Sequence, residues 1–414
     1  MSTPINAAAV GALADERLDW RFKGLPAAWW DRTPADVCAE SPHLLDGAGG
    51  GAVGPVCVLH AEALTHNLAA MAQWCADRGV ELAPHGKTHM SPQLLLRQLD
   101  AGACAVTAAT ISQVRIFRAF GVRDVILANE LVDEAALRWL AAELDADAEF
   151  TLTCWADSVR GVELMTATLT AAGAVRPVDV CVEVGMAGGR TGCRDADSVD
   201  EVARAVAASA RLRLVGVAGY EAALGHGLGP DAVAVVRSYL ADVRAAVLRL
   251  APLFETESII ATAGGSTYFD IVADALTEWP ADMCVRTILR SGCYLTHDDG
   301  LYHRTSPLRD GLRSALRVWA QVVSRPEPDL AVLTMGRRDV SFDQDLPMPY
   351  GFTSAHVVKL NDQHAYLRLG DDDVDVGDWV EFGISHPCTV FDKWPMIPVL
   401  DGDGRVVELI RTFF

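Results

Sequence analysis

The sequence predicts an α/β fold: a (β/α)8 barrel followed by a smaller antiparallel β domain. Three observations carry this. Between about residues 80 and 295, short apolar runs alternate with amphipathic segments. The runs are apolar throughout, as parallel strands covered on both faces are. After residue 310 the alternation gives way to β-rich segments punctuated by turn residues.

Taken in order, the first fifty residues hold GAGGG (47–51), read as a flexible link. PVCVLH (55–60) is a strand that would make nine, so it is assigned outside the barrel. The barrel strands are ELAPHG (81–86), CAVTAAT (104–110), DVILANE (124–130), FTLTCWA (150–156), VDVCVEV (178–184), LRLVGVAGY (212–220), SIIATAGG (258–265) and VRTILRSG (285–292). Between them, segments such as DEAALRWLAAELD and SVDEVARAVAAS repeat apolar residues at helical spacing. Eight βα units fit a barrel of ordinary size, and a doubly wound open sheet is the second reading. SALRVWAQVVSR, AVLTMG, HAYLRLG and DWVEFGI then supply the β domain, with Pro326, Pro328, Asp371 to Asp373 and Gly377 as turn signals. The expected division is a segment 1–60 that partly joins the β domain, a barrel over 61–305 and a β domain over 306–414.

The formal net charge of -20 repels phosphate backbones, which argues against nucleic-acid binding. No apolar run is long enough to span a bilayer, and the N-terminus lacks the pattern of a signal peptide. Ten cysteines without a CxxC pair suggest a reduced, cytoplasmic protein.

In such barrels the reactive groups lie at the C-terminal ends of strands. Lys87, in APHGKTHM (83–90) between His85 and His89, sits just past the first strand. It is either an ordinary surface lysine or a lysine that forms an imine with an aldehyde, if burial or nearby cations lower its pKa. AGGST (263–267) and RSGCY (290–294) follow the seventh and eighth strands, where this barrel usually binds phosphate. Gly264, Gly265 and Gly292 permit close backbone approach, and Ser266 adds a hydroxyl. Each stretch alone is equally a tight turn. A phosphate on one wall and a lysine on another match the needs of pyridoxal 5'-phosphate (PLP). Arg190, in EVGMAGGRTG (183–192), faces the pyridine nitrogen, binds a carboxylate or makes a surface ion pair. Tyr220 ends the sixth strand as a cofactor contact or a core residue. In SHPCT (385–389), His386 and Cys388 point the same way in an extended segment and form a zinc-type ligand pair or a packed pair. Asp339 and Asp343 either assist them or cap a loop.

The lysine box, EVG…GRTG, GYE, GGST, RSGCY and SHPCT, in this order, resemble the D-serine dehydratase and D-threonine aldolase family. Its members are fold-type III PLP enzymes related to alanine racemase. The resemblance runs from about residue 50 to the C-terminus. It implies a homodimer acting on a D-amino acid. Lys87 would hold PLP, with His85 and Tyr220 close by and Arg190 near the pyridine nitrogen. The loops of Gly264, Gly265, Ser266, Gly292, Cys293 and Tyr294 would hold the phosphate. His386 and Cys388 would bind a divalent metal, with zinc favoured by the thiolate over manganese or magnesium. Met90 departs from the family pattern, and SHPCT with FDKW (391–394) resembles the branch called amino acid deaminases. The implied activity is elimination from D-3-hydroxy amino acids. Retro-aldol cleavage and non-catalytic PLP binding are the alternatives.

Overall fold

The computed structural model describes residues 5–45 and 51–414. Of the glycine link read at 47–51, all but Gly51 lies outside the described residues. The chain forms two compact units.

One unit is built mainly from Ala72–Lys87 and Gln98–Gly292. Its strands are β2 (Glu81–Leu82), β3 (Val106–Ala108), β4 (Asp124–Glu130), β5 (Thr151–Ala156), β6 (Val178–Val184), β7 (Leu212–Gly219), β8 (Ile259–Ala263) and β9 (Val285–Leu289), numbered after β1 (Val56–His60) of the other unit. All eight pair in parallel, in the order β2-β9-β8-β7-β6-β5-β4-β3. These are the eight runs that the sequence singles out. Chain neighbours are sheet neighbours from β3 to β9, whereas a doubly wound sheet reverses its order at a switch point. The sheet curls until its ends meet, through a bridge between His85 and Thr107 and a 2.9 Å bond from Thr107 N–H to Pro84 O. Ala83, Ile126, Trp155, Cys181, Val215, Ala218, Ile260 and Ile288 fill the interior. Helices on the outside begin at side-chain caps: Thr110, Asp133, Ser158 and Asp195 each accept a backbone N–H three residues on. Such a cap contributes about 1 kcal/mol.

The other unit comprises Ala7–Met71, Thr88–Arg97 and Cys293–Phe414. Its further strands are β10 (Leu316–Glu327), β11 (Leu330–Leu333), β12 (Met348–Pro349), β13 (His356–Leu360), β14 (Ala365–Arg368), β15 (Trp379–Gly383), β16 (Met396–Leu400) and β17 (Val406–Arg411). They form a sheet of order β13-β14-β11-β10-β1-β16-β17, with β15 paired to β10 and β12. Only β1 with β16 is parallel. The strand set aside from the barrel is thus a central strand here. Its side chains alternate: Cys57 and Leu59 join a cluster with Val318, Phe382, Phe391 and Trp394, while Val56 and Val58 join Leu18, Phe22, Trp29 and Leu44 of the N-terminal segment. Both faces of β1 are therefore buried, which explains its unbroken apolar run. The segments that mark the β domain in the sequence do not cover β12, β13, β16 or β17. β16 reads MIPVL, and its internal Pro398 argues against a central strand. The sheet tolerates it because β16 meets β1 only at Val399 and Leu400.

Gly86 is the residue on which the lysine box packs. A Cβ there would lie 2.4 Å from Phe117 Cζ and 2.9 Å from Val106 Cγ2, and both side chains are fully buried. Gly86→Ala is therefore expected to cost about 1–3 kcal/mol by overpacking. Adding Phe117→Leu should recover part of that loss. Urea melts of the two variants check this, and equal stability of Gly86→Ala and wild type would show that the loop yields freely.

Candidate active site and metal-ligand pair

At the barrel mouth, the chain leaves β2 as Ala83-Pro84-His85 and turns at Gly86–Thr88, presenting Lys87. His85 Nδ1 is buried without a hydrogen-bond partner. Burial, and then the charges of Lys87, Arg290 and Arg190, hold the His85 imidazole well below its ordinary pKa, so it is neutral. Arg290 is buried at the end of β9, donating to Thr262 Oγ1 (2.5 Å) and Gly219 O (2.6 Å) with its guanidinium over the Trp155 ring. Arg190 is exposed and lies 4.5 Å over the ring of Tyr220. Tyr220 is tied to the barrel through its N–H, which donates to Tyr239 Oη at 2.8 Å. Lys87, Arg190 and Arg290 thus gather positive charge around His85. The sequence reading quoted RSGCY but passed over its arginine. An arginine ending an apolar strand was the available signal.

The glycine loops are not simply open cradles. Gly264 adopts a left-handed φ of +93°. Its N–H donates to Glu221 Oε2 (2.9 Å), and that of Gly265 donates to Glu221 Oε1 (2.7 Å). Glu221 is buried and follows Tyr220 directly in the GYE stretch. The two amides are therefore held by a carboxylate, and Ser266 is the next group of that loop. Ser291 Oγ donates to Gly265 O at 3.0 Å, joining the two glycine loops. Gly292 ends this unit, buried.

Three carboxylates close to one another were not foreseen. Glu130, Asp157 and Glu183 stand at or just past the C-terminal ends of β4, β5 and β6, with ligand atoms within 4.8 Å of one another. Among the described residues, no other His, Cys or carboxylate trio is that close. Glu130 Oε1 and Glu183 Oε2 are buried without partners. Burial, and then Glu183 and Asp157, push the Glu130 carboxyl up to about 8.

The other unit carries His386 and Cys388. His386 has a left-handed φ of +69°, and its N–H donates to Asp298 Oδ2 at 2.9 Å. Asp298 Oδ1 accepts the N–H groups of Gly300, Tyr302 and His303. This one buried carboxylate therefore fixes both SHPCT and the segment that follows RSGCY. His386 Nδ1 lies 2.6 Å from Asp343 Oδ2, and Asp343 Oδ1 accepts from Thr389 Oγ1 (2.8 Å). A carboxylate on Nδ1 orients the ring and leaves Nε2 for a ligand, as in metal sites. Asp343 thus pairs with the His386 ring, whereas Asp339 caps a loop, accepting from Gly336 N–H and pairing with Lys23. Cys388 Sγ lies 3.4 Å from Thr88 Oγ1 and 3.4 Å from Cys293 Sγ. The hydrogen bond from Cys293, against the opposing effect of burial, and then His386 hold the Cys388 thiol well below its ordinary pKa. Burial lowers the His386 pKa, but Cys388 and Asp343 outweigh it and raise it to about 9. Tyr294 is buried beside Cys293. His89 is fully buried, with Nδ1 accepting from Ser91 N–H at 2.9 Å, and serves the fold.

The residues present suit the groups that the sequence implies. The unpartnered His85 nitrogen and three clustered cations suit an anionic aldehyde cofactor beside Lys87. The thiolate and carboxylate-oriented imidazole suit a borderline-soft divalent metal.

A parallel barrel with a lysine at its mouth, joined in one chain to an antiparallel β unit with an imidazole–thiolate pair, defines a fold-type III PLP enzyme of the lyase class. The family model "Alanine racemase, N-terminal domain" matches residues 59–280, which is 222 of 414 residues, and the chain belongs to that family. The model "Putative serine dehydratase domain" matches residues 315–400. The chain is 28% identical over 365 residues to a D-threonine aldolase of Arthrobacter sp, covering 86% of this chain and 90% of that protein. It is 34% identical over 74 residues to a D-threo-3-hydroxyaspartate dehydratase of Delftia sp. (strain HT23), covering 18% of this chain and 20% of that one. The crystal structure of D-threonine aldolase from Filomicrobium marinum superposes with a TM-score of 0.76 at 25% identity, covering 88% of this chain and 95% of that one. No helix among the described residues is long and apolar enough to cross a membrane.

The carboxylate trio gives a pH test. Folded, Glu130 stays protonated until about pH 8, above its ordinary value of 4.5. Its stabilising contribution is therefore complete at low pH and is lost as the pH rises through the folded pKa. Glu130→Gln cannot ionise, so it should melt higher than wild type at about pH 8.5, by a margin that shrinks at about pH 5. Thermal melts at both values test it, and a margin independent of pH would show that Glu130 is already ionised in the fold.

Proposed function

We propose that this protein is a PLP- and divalent-metal-dependent ammonia-lyase of D-3-hydroxy amino acids, releasing a 2-oxo acid and ammonia. The observation that carries the reading is the His386–Cys388 pair, with Asp343 on the imidazole and Thr88 on the thiolate.

Elimination from a 3-hydroxy amino acid needs a base for the α-proton and an electrophile for the β-oxygen. PLP, when bound, supplies an electron sink for the charge left at the α-carbon, and a divalent metal supplies the Lewis acid. Lys87 would hold the cofactor through its ε-amine and would serve as the base for the α-proton. Arg290 and Arg190 supply fixed positive charge for the cofactor's anionic groups. His85, neutral among those cations, accepts or donates a hydrogen bond without adding charge. His386 and Cys388 would hold the metal, with Asp343 fixing the imidazole through its Nδ1. The thiolate is a soft donor and favours zinc.

The second reading is retro-aldol cleavage to glycine and an aldehyde, favoured by the near full-length likeness to a D-threonine aldolase. It uses the same lysine and metal pair but takes the proton from the β-hydroxyl.

Product analysis with D-threonine, in the presence of PLP and zinc, separates the two. Elimination gives ammonia and 2-oxobutanoate; glycine with acetaldehyde would transfer the protein to the aldolases. Lys87→Ala should lose the visible absorbance of the PLP-loaded protein, and its turnover should fall by at least the 10²–10⁴-fold typical of a lost general base. Full activity in that variant would remove PLP from the mechanism. Chelation should abolish turnover while leaving the PLP absorbance in place, with zinc restoring it; turnover indifferent to chelators would remove the metal.

A further inference from the structure

The phosphate-loop assignment leaves Cys293 without a purpose for its side chain. Its thiol is buried, and 3.4 Å away stands the sulfur of Cys388. We infer that Cys293 is a third ligand of the metal, making the donor set two thiolates and one imidazole.

This inference rests on the reading of His386 and Cys388 as metal ligands. Two thiolates bound at about 2.3 Å to one tetrahedral ion stand roughly 3.7 Å apart. The observed separation is near that value and far from the roughly 2.05 Å of a disulfide. Cys293 also stands in a fixed place. Its carbonyl accepts from His297 N–H at 2.7 Å, and Asp298 next along ties the segment to the N–H of His386. The same carboxylate therefore sets the spacing of both cysteine-bearing segments. Thr88 Oγ1 lies 4.0 Å from Cys293 Sγ and 3.4 Å from Cys388 Sγ, so one hydroxyl serves both sulfurs. The sulfurs and the imidazole are not all within 4.8 Å of one another, so the proposed set requires a side chain to rotate on binding. Each cysteine turns about a single Cα–Cβ bond.

The chemistry favours three ligands over two. A catalytic zinc is typically held by three protein ligands with a fourth position open, and two cysteines with one histidine is a known set. Two ligands alone would leave half the coordination sphere to solvent. With Cys293 bound, the one open position is kept for a substrate oxygen. Two thiolates also cancel the charge of the ion, so metal can enter this buried place without an uncompensated charge.

The first experiment is zinc K-edge absorption on the zinc-loaded wild-type protein, which counts sulfur neighbours without any substitution. Two sulfurs at about 2.3 Å are expected. One sulfur overturns the inference while leaving the His386–Cys388 reading standing, and no bound zinc overturns both. Cys293→Ser and Cys388→Ser are then loaded with cobalt. Each should lose about half of the thiolate charge-transfer absorbance. Zinc affinity of Cys293→Ser should fall by more than the 10–100-fold typical of losing an outer-shell partner. A full charge-transfer band and unchanged affinity in Cys293→Ser, with both lost in Cys388→Ser, would make Cys293 a bystander.

Discussion

The closing of the barrel at the lysine box is the constraint on which the rest depends. β2 has only two residues in the ladder, so the sheet does not close by a long pairing. It closes where the chain leaves β2. Cys104 N–H reaches Leu82 O, Thr107 N–H reaches Pro84 O, and Thr107 Oγ1 donates to Ala83 O. A buried peptide group left unpaired costs about 1–3 kcal/mol, so these bonds fix the path of 82–85 closely. Gly86 then turns against Phe117 in a space that admits no Cβ. The result is that Lys87 emerges at one defined point. The proposed role of Lys87 needs that, because misplacement by an ångström costs far more rate than it costs stability.

The second constraint is electrostatic. The chain carries 55 acidic and 35 basic residues, excluding histidine, yet Lys87, Arg190 and Arg290 converge on His85. Burying Arg290 requires partners, and it finds them in Thr262 Oγ1, Gly219 O and the charges of Glu221 and Glu183. Glu221 has a second task, holding the Gly264 and Gly265 amides. Buried carboxylates thus balance Arg290 at short range. Glu130, Asp157 and Glu183 extend this arrangement, with protonation of Glu130 relieving the repulsion between them.

The sequence disclosed the barrel because each strand is a continuous apolar run and each helix a periodic one. It drew attention to Lys87 and the His-x-Cys pair because their residue types are costly without a purpose. It did not disclose β16, where Pro398 interrupts the run, or β13, HVVKL, which buries only Val357 and Leu360. Nor did it reveal Glu221 as the partner of the glycine amides, since a carboxylate after a strand carries no mark of the 43 residues it reaches across. Arg290 and the carboxylate trio were hidden for the same reason: their partners come from other strands. Cys293 illustrates the limit best. By chain position it belongs to a glycine loop after β9, while its sulfur lies beside a residue 95 positions on.

His386 shows how the fold makes room for reactive groups. A non-glycine residue at a φ of +69° is strained and persists only when its surroundings hold it. Here the hold is double: Asp298 takes its N–H, and Asp343 takes its Nδ1. Asp298 is itself buried, which pushes its carboxyl above its ordinary pKa, and the four N–H groups it accepts offset part of that burial. Removing Asp298 would free three amides of the 300–303 turn as well as the SHPCT backbone, whereas removing Asp343 would release only the ring and the Thr389 hydroxyl. The two carboxylates therefore do separable work. One positions backbone and the other orients the imidazole ring, and the left-handed turn at His386 is where the two meet.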